Sequence, residues 1–264
     1  MVESNLFPAL FIGHGSPLNA LEKEGKYYKA LKKFSITNPE PEAIVVVSSH
    51  WETENIIEIT GSEVLEPLLL EDEEQKKLKS LKKTFIGNPS LARSLAYSLK
   101  KKGIKSKVNM NRGIDHGAWV PIYLMYPEKN IPIIQFSLPA EKGPKSLFRL
   151  GNALKSFRKD NILFLGSGNV VFNPKIKHQS KEAPISGWAK DFDAWIEENM
   201  FGDLENLFDY QNLAPNANYA MPTSEHISPM FVILGLKNKE EKIKTMYEGF
   251  EYSTTSMRCF QITN

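Results

Sequence analysis

Uniformly apolar runs, rather than alternating ones, recur along the chain. They occupy residues 9–13, 43–49, 131–138 and 162–165. Short runs of this kind, bounded by glycine, proline or polar residues, predict strands that are buried on both faces of a parallel sheet. Shorter or alternating patterns predict further strands at residues 55–60, 104–110, 244–247 and 257–262.

Between these strands, apolar residues recur at the spacing of an α-helix. The predicted helices cover residues 21–34, 88–103, 146–158, 188–196 and a short apolar stretch that ends at Gly235. Strands that alternate with helices predict an α/β fold with a central, mostly parallel sheet flanked by helices. Because no linker or internal repeat divides the chain, we expect residues 1–264 to form a single domain.

Two segments do not continue the alternation of apolar strands and amphipathic helices. Residues 71–83 are acidic first and basic last, with opposite charges four residues apart, which predicts a solvated helix. Residues 111–121 contain Gly113, Gly117 and Pro121 and no apolar periodicity, which predicts a loop.

Composition excludes several classes of protein. The chain has 264 residues, 41% of them hydrophobic, and a net charge of +2, which gives no reason to expect a nucleic-acid partner. We expect no membrane partner, because no stretch of about 20 apolar residues is present. The first residues include Glu3 and Pro8 and do not read as a signal peptide. The single Cys259 rules out an internal disulfide, so we expect a cytoplasmic protein.

Histidines at the ends of predicted strands are the main candidates for chemistry. His14 follows the first apolar run between two glycines, and His50 follows the second. His116 and His226 lie in loops rich in glycine and proline, whereas His178 lies in a lysine-rich segment and receives no role. Any one histidine is more simply a packing or turn residue. The two histidines at strand ends could converge at the carboxyl edge of a sheet, for which a metal ion is the simplest reason, and four at such positions are harder to dismiss together.

Other patterns are weaker. Gly166-Ser-Gly168-Asn is half of a dinucleotide-binding fingerprint, without the third glycine. Ser16 and Ser167 lack the surroundings of a hydrolase nucleophile. Cys259, in a late strand, is most simply a buried core thiol.

Several motifs together resemble those of the class III extradiol ring-cleavage dioxygenases, and in particular the subgroup that includes the 4,5-DOPA extradiol dioxygenases. These motifs are Gly13-His-Gly-Ser-Pro17, Ser48-Ser-His-Trp51, Asp115-His-Gly-Ala-Trp-Val-Pro121, Gly166-Ser-Gly168-Asn, Pro222-Thr-Ser-Glu-His226-x-x-Pro229 and Ser256-Met257. The resemblance runs from about residue 9 to the C-terminus and implies a single α/β domain that acts on a small aromatic substrate with O2.

The resemblance also implies roles for individual residues. It makes His14, His50 and His226 the ligands of one divalent metal, Fe(II) or Zn(II). His116 becomes a catalytic residue that faces the substrate without binding the metal. The remaining substrate-binding positions are Ser16, Asp115, Phe172 and Met221. A monomer or a homodimer is expected.

Two positions depart from the family pattern. Phe172 and Met221 stand where the family usually has histidine, and the first of those histidines is the one thought to act as acid and base. We expect Phe172 at the rim of the cleft, where a phenyl ring fills the space of an imidazole but offers no proton. Three hypotheses follow: a ring-cleaving dioxygenase, a metal- and catechol-binding protein with little turnover, and a zinc hydrolase.

Overall fold

An eight-stranded sheet forms the centre of the computed structural model, which describes residues 6–68, 77–81, 84–140, 142–176 and 178–264. The strands are β1 (Ala9–Gly13), β2 (Ala43–Thr53), β3 (Ile57–Thr60), β4 (Val64–Leu65), β5 (Phe85–Ile86), β6 (Ser106–Asn109), β7 (Ile133–Pro139), β8 (Ile162–Gly168), β9 (Lys242–Tyr247), β10 (Phe250–Glu251), β11 (Thr255–Ser256) and β12 (Cys259–Thr263). The α-helices are α1 (Lys26–Thr37), α2 (Pro89–Lys101), α3 (His116–Met125), α4 (Pro144–Leu154), α5 (Gly187–Phe201), α6 (Leu204–Phe208), α7 (Tyr210–Leu213), α8 (Ala217–Ala220) and α9 (Ser228–Gly235). Short 3-10 helices cover Pro17–Leu21, Lys77–Leu81, Lys155–Asp160 and Pro174–Ile176.

The strand order across the large sheet is β6-β3-β7-β2-β8-β1-β12-β9. Strands β7, β2, β8 and β1 are mutually parallel and form its centre. Strand β3 runs antiparallel to β7, and β12 runs antiparallel to both β1 and β9. The α/β fold with a central, mostly parallel sheet is therefore confirmed.

The apolar runs lie at this centre because both faces of the sheet are covered. On β2, Val45 and Val47 belong to one hydrophobic core, whereas Ile44 and Val46 belong to the other. All four side chains are buried. A strand with a core on each side has no solvent face, so its sequence does not alternate.

The interpretation of residues 111–121 as a loop was wrong in its second half. Helix α3 begins at His116, and Asp115 caps it by accepting a hydrogen bond from the Ala118 backbone N–H at 3.1 Å. Nearly every residue of this helix is buried. A helix that is apolar all round carries no amphipathic periodicity, which is why the pattern did not reveal it.

Other boundaries differ in detail. The helix predicted at 21–34 is a 3-10 helix at Pro17–Leu21 followed by α1, and strand β8 extends through Gly168. Residues 71–76, 82 and 83 of the predicted charged helix lie outside the described residues, and Lys77–Leu81 form a 3-10 helix. Among the residues that the structure describes, no helix is both long enough and apolar enough to cross a membrane.

Candidate metal and substrate site

The carboxyl ends of β1, β2 and β8 meet at one edge of the sheet. Gly13 is in register with Gly168, and Ser48 is in register with Ser167. His14 directly follows β1, whereas His50 lies inside β2, which continues to Thr53 instead of ending before the histidine as predicted. Ligand sites of parallel sheets form at this edge.

The structure brings four of the five histidines together at this edge. The ring centroid of His14 lies 5.0 Å from that of His50, 5.9 Å from that of His116 and 5.4 Å from that of His226. The His50 ring is 4.1 Å from the His116 ring and 5.4 Å from the His226 ring. His178 is exposed and its Nδ1 accepts a hydrogen bond from the Ser180 backbone N–H, as suits a residue without a role in the site.

Hydrogen bonds determine which nitrogen of His14 is available to a ligand. The Ser167 hydroxyl donates its proton to the backbone carbonyl of Gly117. The same oxygen lies 3.0 Å from His14 Nδ1 and can only accept there, so Nδ1 carries the ring proton. The lone pair of Nε2 is therefore free to bind a cation.

His226 is oriented in the same way by an amide. The side-chain NH2 of Asn169 donates to the carbonyl of Ser256 at 2.8 Å, which leaves Asn169 Oδ1 as an acceptor. That oxygen lies 3.2 Å from His226 Nδ1. His226 thus also holds its proton on Nδ1 and leaves Nε2 unprotonated.

Two of the ligand atoms already have the spacing of a metal site. His14 Nε2 and His50 Nε2 are 3.1 Å apart. Metal–nitrogen bonds of about 2.1 Å at angles of about 90–110° put two ligand nitrogens about 2.9–3.4 Å apart. The nitrogens of His14, His50 and His116 all lie within 4.8 Å of one another, so a group of these three can also hold an ion.

The electrostatic environment keeps these imidazoles neutral. Burial, and secondarily the neighbouring histidines, hold the pKa of His14 and of His226 well below the usual value. Loss of hydration also lowers the pKa of His50, against the opposing attraction of Asp115 and Glu225. A neutral imidazole is the form that binds a metal.

The carboxylate of Asp115, the residue before His116, is engaged with protein groups. It is 5% exposed. Its Oδ1 accepts from the Ser48 hydroxyl at 2.8 Å and from the Ala118 N–H, and its Oδ2 accepts from the Gln135 amide. This carboxylate therefore holds the first turn of α3, and with it His116, against β2 and β7.

Phe172, one of the two departures from the family pattern, lies directly against a site histidine. The Phe172 ring stacks on the His226 ring with a centroid distance of 3.8 Å and an interplanar angle of 20°. Phe172 is partly buried, Met221 is buried, and both belong to the same hydrophobic core. Ser16 is buried beside His14 and caps the 3-10 helix Pro17–Leu21.

Close packing at the site depends on one glycine in particular. A Cβ atom on Gly117 would lie 2.5 Å from Ser48 Oγ and 2.8 Å from His50 Cδ2. Only glycine lets the start of α3 approach β2 this closely.

Sequence reasoning gave no role to the residues that orient the histidines. Ser167 and Asn169 belong to the Gly166-Ser-Gly168-Asn motif, which resembles half of a dinucleotide fingerprint and also contributes to the family resemblance, but neither residue received a role of its own. Ser48 occurs in the Ser48-Ser-His-Trp51 motif without a role of its own, and Gln135 gave no signal, since a buried polar residue within an apolar strand is ambiguous without its partner.

Comparison with known proteins identifies the family of the chain. Residues 8–260 match the family model described as the catalytic LigB subunit of aromatic ring-opening dioxygenase. The chain is 30% identical to a 4,5-DOPA dioxygenase extradiol of Beta vulgaris, over 99% of this chain and 98% of that protein. It is 33% identical to a protein of the same name from Escherichia coli K12, over 99% and 97% of the two chains.

A solved structure has the same fold. The crystal structure of an uncharacterized protein from Escherichia coli K12 superimposes with a TM-score of 0.80 at 32% identity, covering 97% of this chain and 99% of that one. The family match over nearly the whole chain, the two relatives and the histidine cluster at the carboxyl edge of the sheet lead to one conclusion. The chain belongs to the LigB family of extradiol, aromatic ring-opening dioxygenases, a class of oxidoreductases.

Proposed function

We propose that this protein cleaves the ring of a catechol-type substrate with O2, using one divalent metal, Fe(II) or Zn(II), bound by His14, His50 and His226. The observation that carries the proposal is the pair of fixed tautomers. His14 and His226 each hold a proton on Nδ1, and His14 Nε2 lies 3.1 Å from His50 Nε2. These imidazoles are arranged for a cation.

The hydrogen bond to Asn169 supports His226 as the third ligand. The Nδ1 atom of His226 is anchored by Asn169, as that of His14 is by Ser167, so its ring is oriented before a metal binds. His116 is then left for the substrate. Its ring lies 4.1 Å from that of His50, within reach of a molecule bound beside the metal.

The bound metal would supply the charge and the open coordination positions that bring a catechol and O2 together. The protein residues have separate tasks. His116 accepts the proton of a catechol hydroxyl, a step typically worth about 10²–10⁴-fold in rate. Asp115 keeps His116 in place through the cap of α3. Phe172 covers one face of His226, excludes water there and offers no proton.

A second function is favoured by Phe172 itself. If the proton transfer lost at this position is essential, the protein binds a metal and a catechol but turns over slowly. Under this alternative the same site binds a catechol through a metal held by the three histidine ligands, without efficient ring cleavage. A zinc hydrolase, the third hypothesis, has no comparable support from the relatives.

Oxygen uptake on a metal-loaded enzyme separates these functions. The protein is reconstituted anaerobically with iron(II), its metal content is measured, and a panel of catechols is added with O2. Uptake together with a yellow semialdehyde product supports ring cleavage, whereas tight binding without uptake supports the receptor. His178→Ala is the matched control, because this histidine lies outside the cluster and should leave both readouts unchanged.

We propose that residues 1–264 form one catalytic domain, which the family match over residues 8–260 supports. We also propose a cytoplasmic location, which Cys259, a buried free thiol, supports, and a monomer or a homodimer as the working form.

A further inference from the structure

The backbone carbonyl of Ser256 determines which way the amide of Asn169 points. The side-chain NH2 of Asn169 donates to this carbonyl at 2.8 Å, which turns Asn169 Oδ1 toward His226 Nδ1 at 3.2 Å. In the opposite amide orientation two carbonyl oxygens would face each other, and an NH2 group would face the histidine. His226 would then accept at Nδ1 and carry its proton on Nε2, the nitrogen that a metal needs. The position of the Ser256 carbonyl therefore sets the tautomer of His226.

The residues that follow Ser256 pack against the chain beside His14. The carbonyl of Arg258 accepts from the backbone N–H of Gly13, the residue before His14, at 2.9 Å. A Cβ atom on Gly13 would lie 2.7 Å from the backbone carbonyl carbon of Met257, so no space separates the two segments. A displacement of this stretch would therefore move the supports of two proposed metal ligands.

Asp193, on helix α5, holds both ends of the same stretch. Its Oδ1 accepts the hydroxyl proton of Ser256 at 2.6 Å. Its Oδ2 accepts from Arg258 Nη2 at 2.5 Å and from Arg258 Nε at 3.1 Å. All three side chains are buried. Because hydrogen bonds to an ionised group are shorter and stronger than neutral ones, this single carboxylate fixes the serine and the arginine together.

Two further acids bind Arg258, and they separate the role of Asp193 from that of an ordinary ion pair. Arg258 Nη1 donates to Glu197 at 2.6 Å and to Glu248 at 3.3 Å. A hydroxyl has a single proton, and Ser256 donates its proton to Asp193. Glu197 and Glu248 therefore bind the arginine without binding the serine hydroxyl.

We propose that Asp193 is a positioning residue of the metal site and fixes the tautomer of His226. It acts through Ser256 and Asn169, in a chain that runs from carboxylate to hydroxyl, from backbone carbonyl to amide, and from amide to imidazole. This inference rests on the proposed function, because it takes His226 as a metal ligand. The chain leaves Nε2 of His226 unprotonated before a metal binds, so the ion displaces no proton from the ring.

The alternative is that Asp193 only neutralises Arg258 and so stabilises the fold. Its loss would then lower the free energy of unfolding, but the His226 tautomer would stay the same because the Ser256 carbonyl keeps its place. Loss of Glu197, one helical turn further along α5 and paired with the same guanidinium, should then have a similar effect on zinc affinity. The tautomer and the zinc affinity therefore distinguish the two explanations, whereas stability does not.

Zinc affinity is measured by competition with a chelator for the natural protein and three variants. Asp193→Ala should bind zinc at least about 10-fold more weakly, because hydrogen-bonded supports of metal ligands are typically worth about 10–100-fold. Ser256→Ala removes only the hydroxyl and should weaken binding by at least about 3-fold. Glu197→Gln is the matched control and should stay within about 2-fold, since this partly exposed pair leaves the Ser256 contact intact.

The tautomer is determined separately, by NMR on the metal-free protein with isotopically labelled histidine ring nitrogens. The signals of His226 are assigned as those that disappear in His226→Gln. At neutral pH the natural protein and Glu197→Gln should show Nδ1 protonated and Nε2 unprotonated. Asp193→Ala and Ser256→Ala should show a mixture of both tautomers, because the Ser256 carbonyl no longer holds the Asn169 amide in one orientation.

Weaker zinc binding together with a mixed tautomer in Asp193→Ala, and neither change in Glu197→Gln, supports the positioning role. An unchanged tautomer, or an equal loss of zinc affinity in both variants, would overturn it. If Asp193→Ala does not fold, Ser256→Ala decides by the same two measurements. If the natural protein binds no zinc, the proposed metal site fails, and the tautomer of the metal-free protein still shows whether Asp193 positions His226.

Discussion

The phenyl ring of Phe172 lies nearly parallel to the imidazole of His226, with the two centroids 3.8 Å apart. One face of a proposed metal ligand is therefore covered by a hydrocarbon surface instead of a group that titrates. The stacking contact and the hydrogen bond from His226 Nδ1 to Asn169 together fix the plane of the His226 ring. It also removes a place from which a second base could act.

Phe172→His tests whether this stacking limits turnover. We expect oxygen uptake with a bound catechol to rise by at least about 10-fold, because general acid–base catalysis is typically worth about 10²–10⁴-fold. Met221→His is added if the first variant alone has no effect. Rates are compared at equal iron(II) occupancy. Phe172→Leu, which is apolar and cannot transfer a proton, is the control and should not gain activity. The role given to Phe172 would be contradicted if the natural protein cleaves catechols briskly and Phe172→His cleaves them at the same rate.

The choice of ligands is tested by metal content. His14→Ala and His226→Ala should each lower zinc affinity by more than about 10-fold, because each removes an imidazole that is already oriented for the ion. His116→Ala should retain about one metal per chain and lose oxygen uptake instead. Metal content is measured after dialysis against a graded series of chelator concentrations. If His116→Ala loses the metal and His226→Ala keeps it, the ligand set is His14, His50 and His116.

Ser167→Ala tests the orientation of His14. The variant removes the acceptor at Nδ1, so the ring is free to adopt the other tautomer or to turn away. Loss of such an outer hydrogen bond typically weakens metal binding by about 10–100-fold. Ser94→Ala, at an exposed site on α2, is the matched control. Unchanged zinc affinity in Ser167→Ala would show that packing alone orients the ring.

The metal-free protein should lose stability as the pH falls. The pKa values of His14 and His226 are lowered in the folded state, so below about pH 6.5 the unfolded chain binds protons that the folded chain does not. Each residue then lowers the free energy of unfolding by up to about 1.4 kcal/mol per pH unit. Urea unfolding at about pH 7.5 and about pH 5.5 measures the difference. A free energy that is equal at both values would argue against buried, neutral imidazoles.

The only cysteine should be unreactive in the folded protein. Burial raises the pKa of Cys259 to about 12, so almost no thiolate exists at neutral pH, and the side chain is inaccessible to reagents. Alkylation by iodoacetamide should therefore be slow in buffer and fast in urea. Mass spectrometry of the intact protein follows the modification; rapid labelling without denaturant would mean that the end of the chain opens locally.

The sequence predicts which segments approach the site but not the bonds made there. Apolar runs located the central strands, and the motifs around His14, His50, His116 and His226 indicated side chains that the structure does bring together. The orienting contacts escaped prediction because they depend on register. His14 and Ser167 are 153 positions apart in the chain, and only the pairing of β1 with β8 brings them into contact. Helix α3 was missed for the opposite reason, since complete burial removes the periodicity that would have revealed it.

The order of strands in the sheet has a consequence for how the protein acquires its metal during synthesis. Strand β1, which His14 directly follows, and strand β2, which contains His50, do not pair with each other, because β8 lies between them. The nitrogens that are 3.1 Å apart therefore come together only when residues 162–168 have entered the sheet. A nascent chain that ends before this strand has both histidines but no binding site. We therefore expect a metal site that needs both nitrogens to form only after β8 has been synthesised and has paired with β1 and β2.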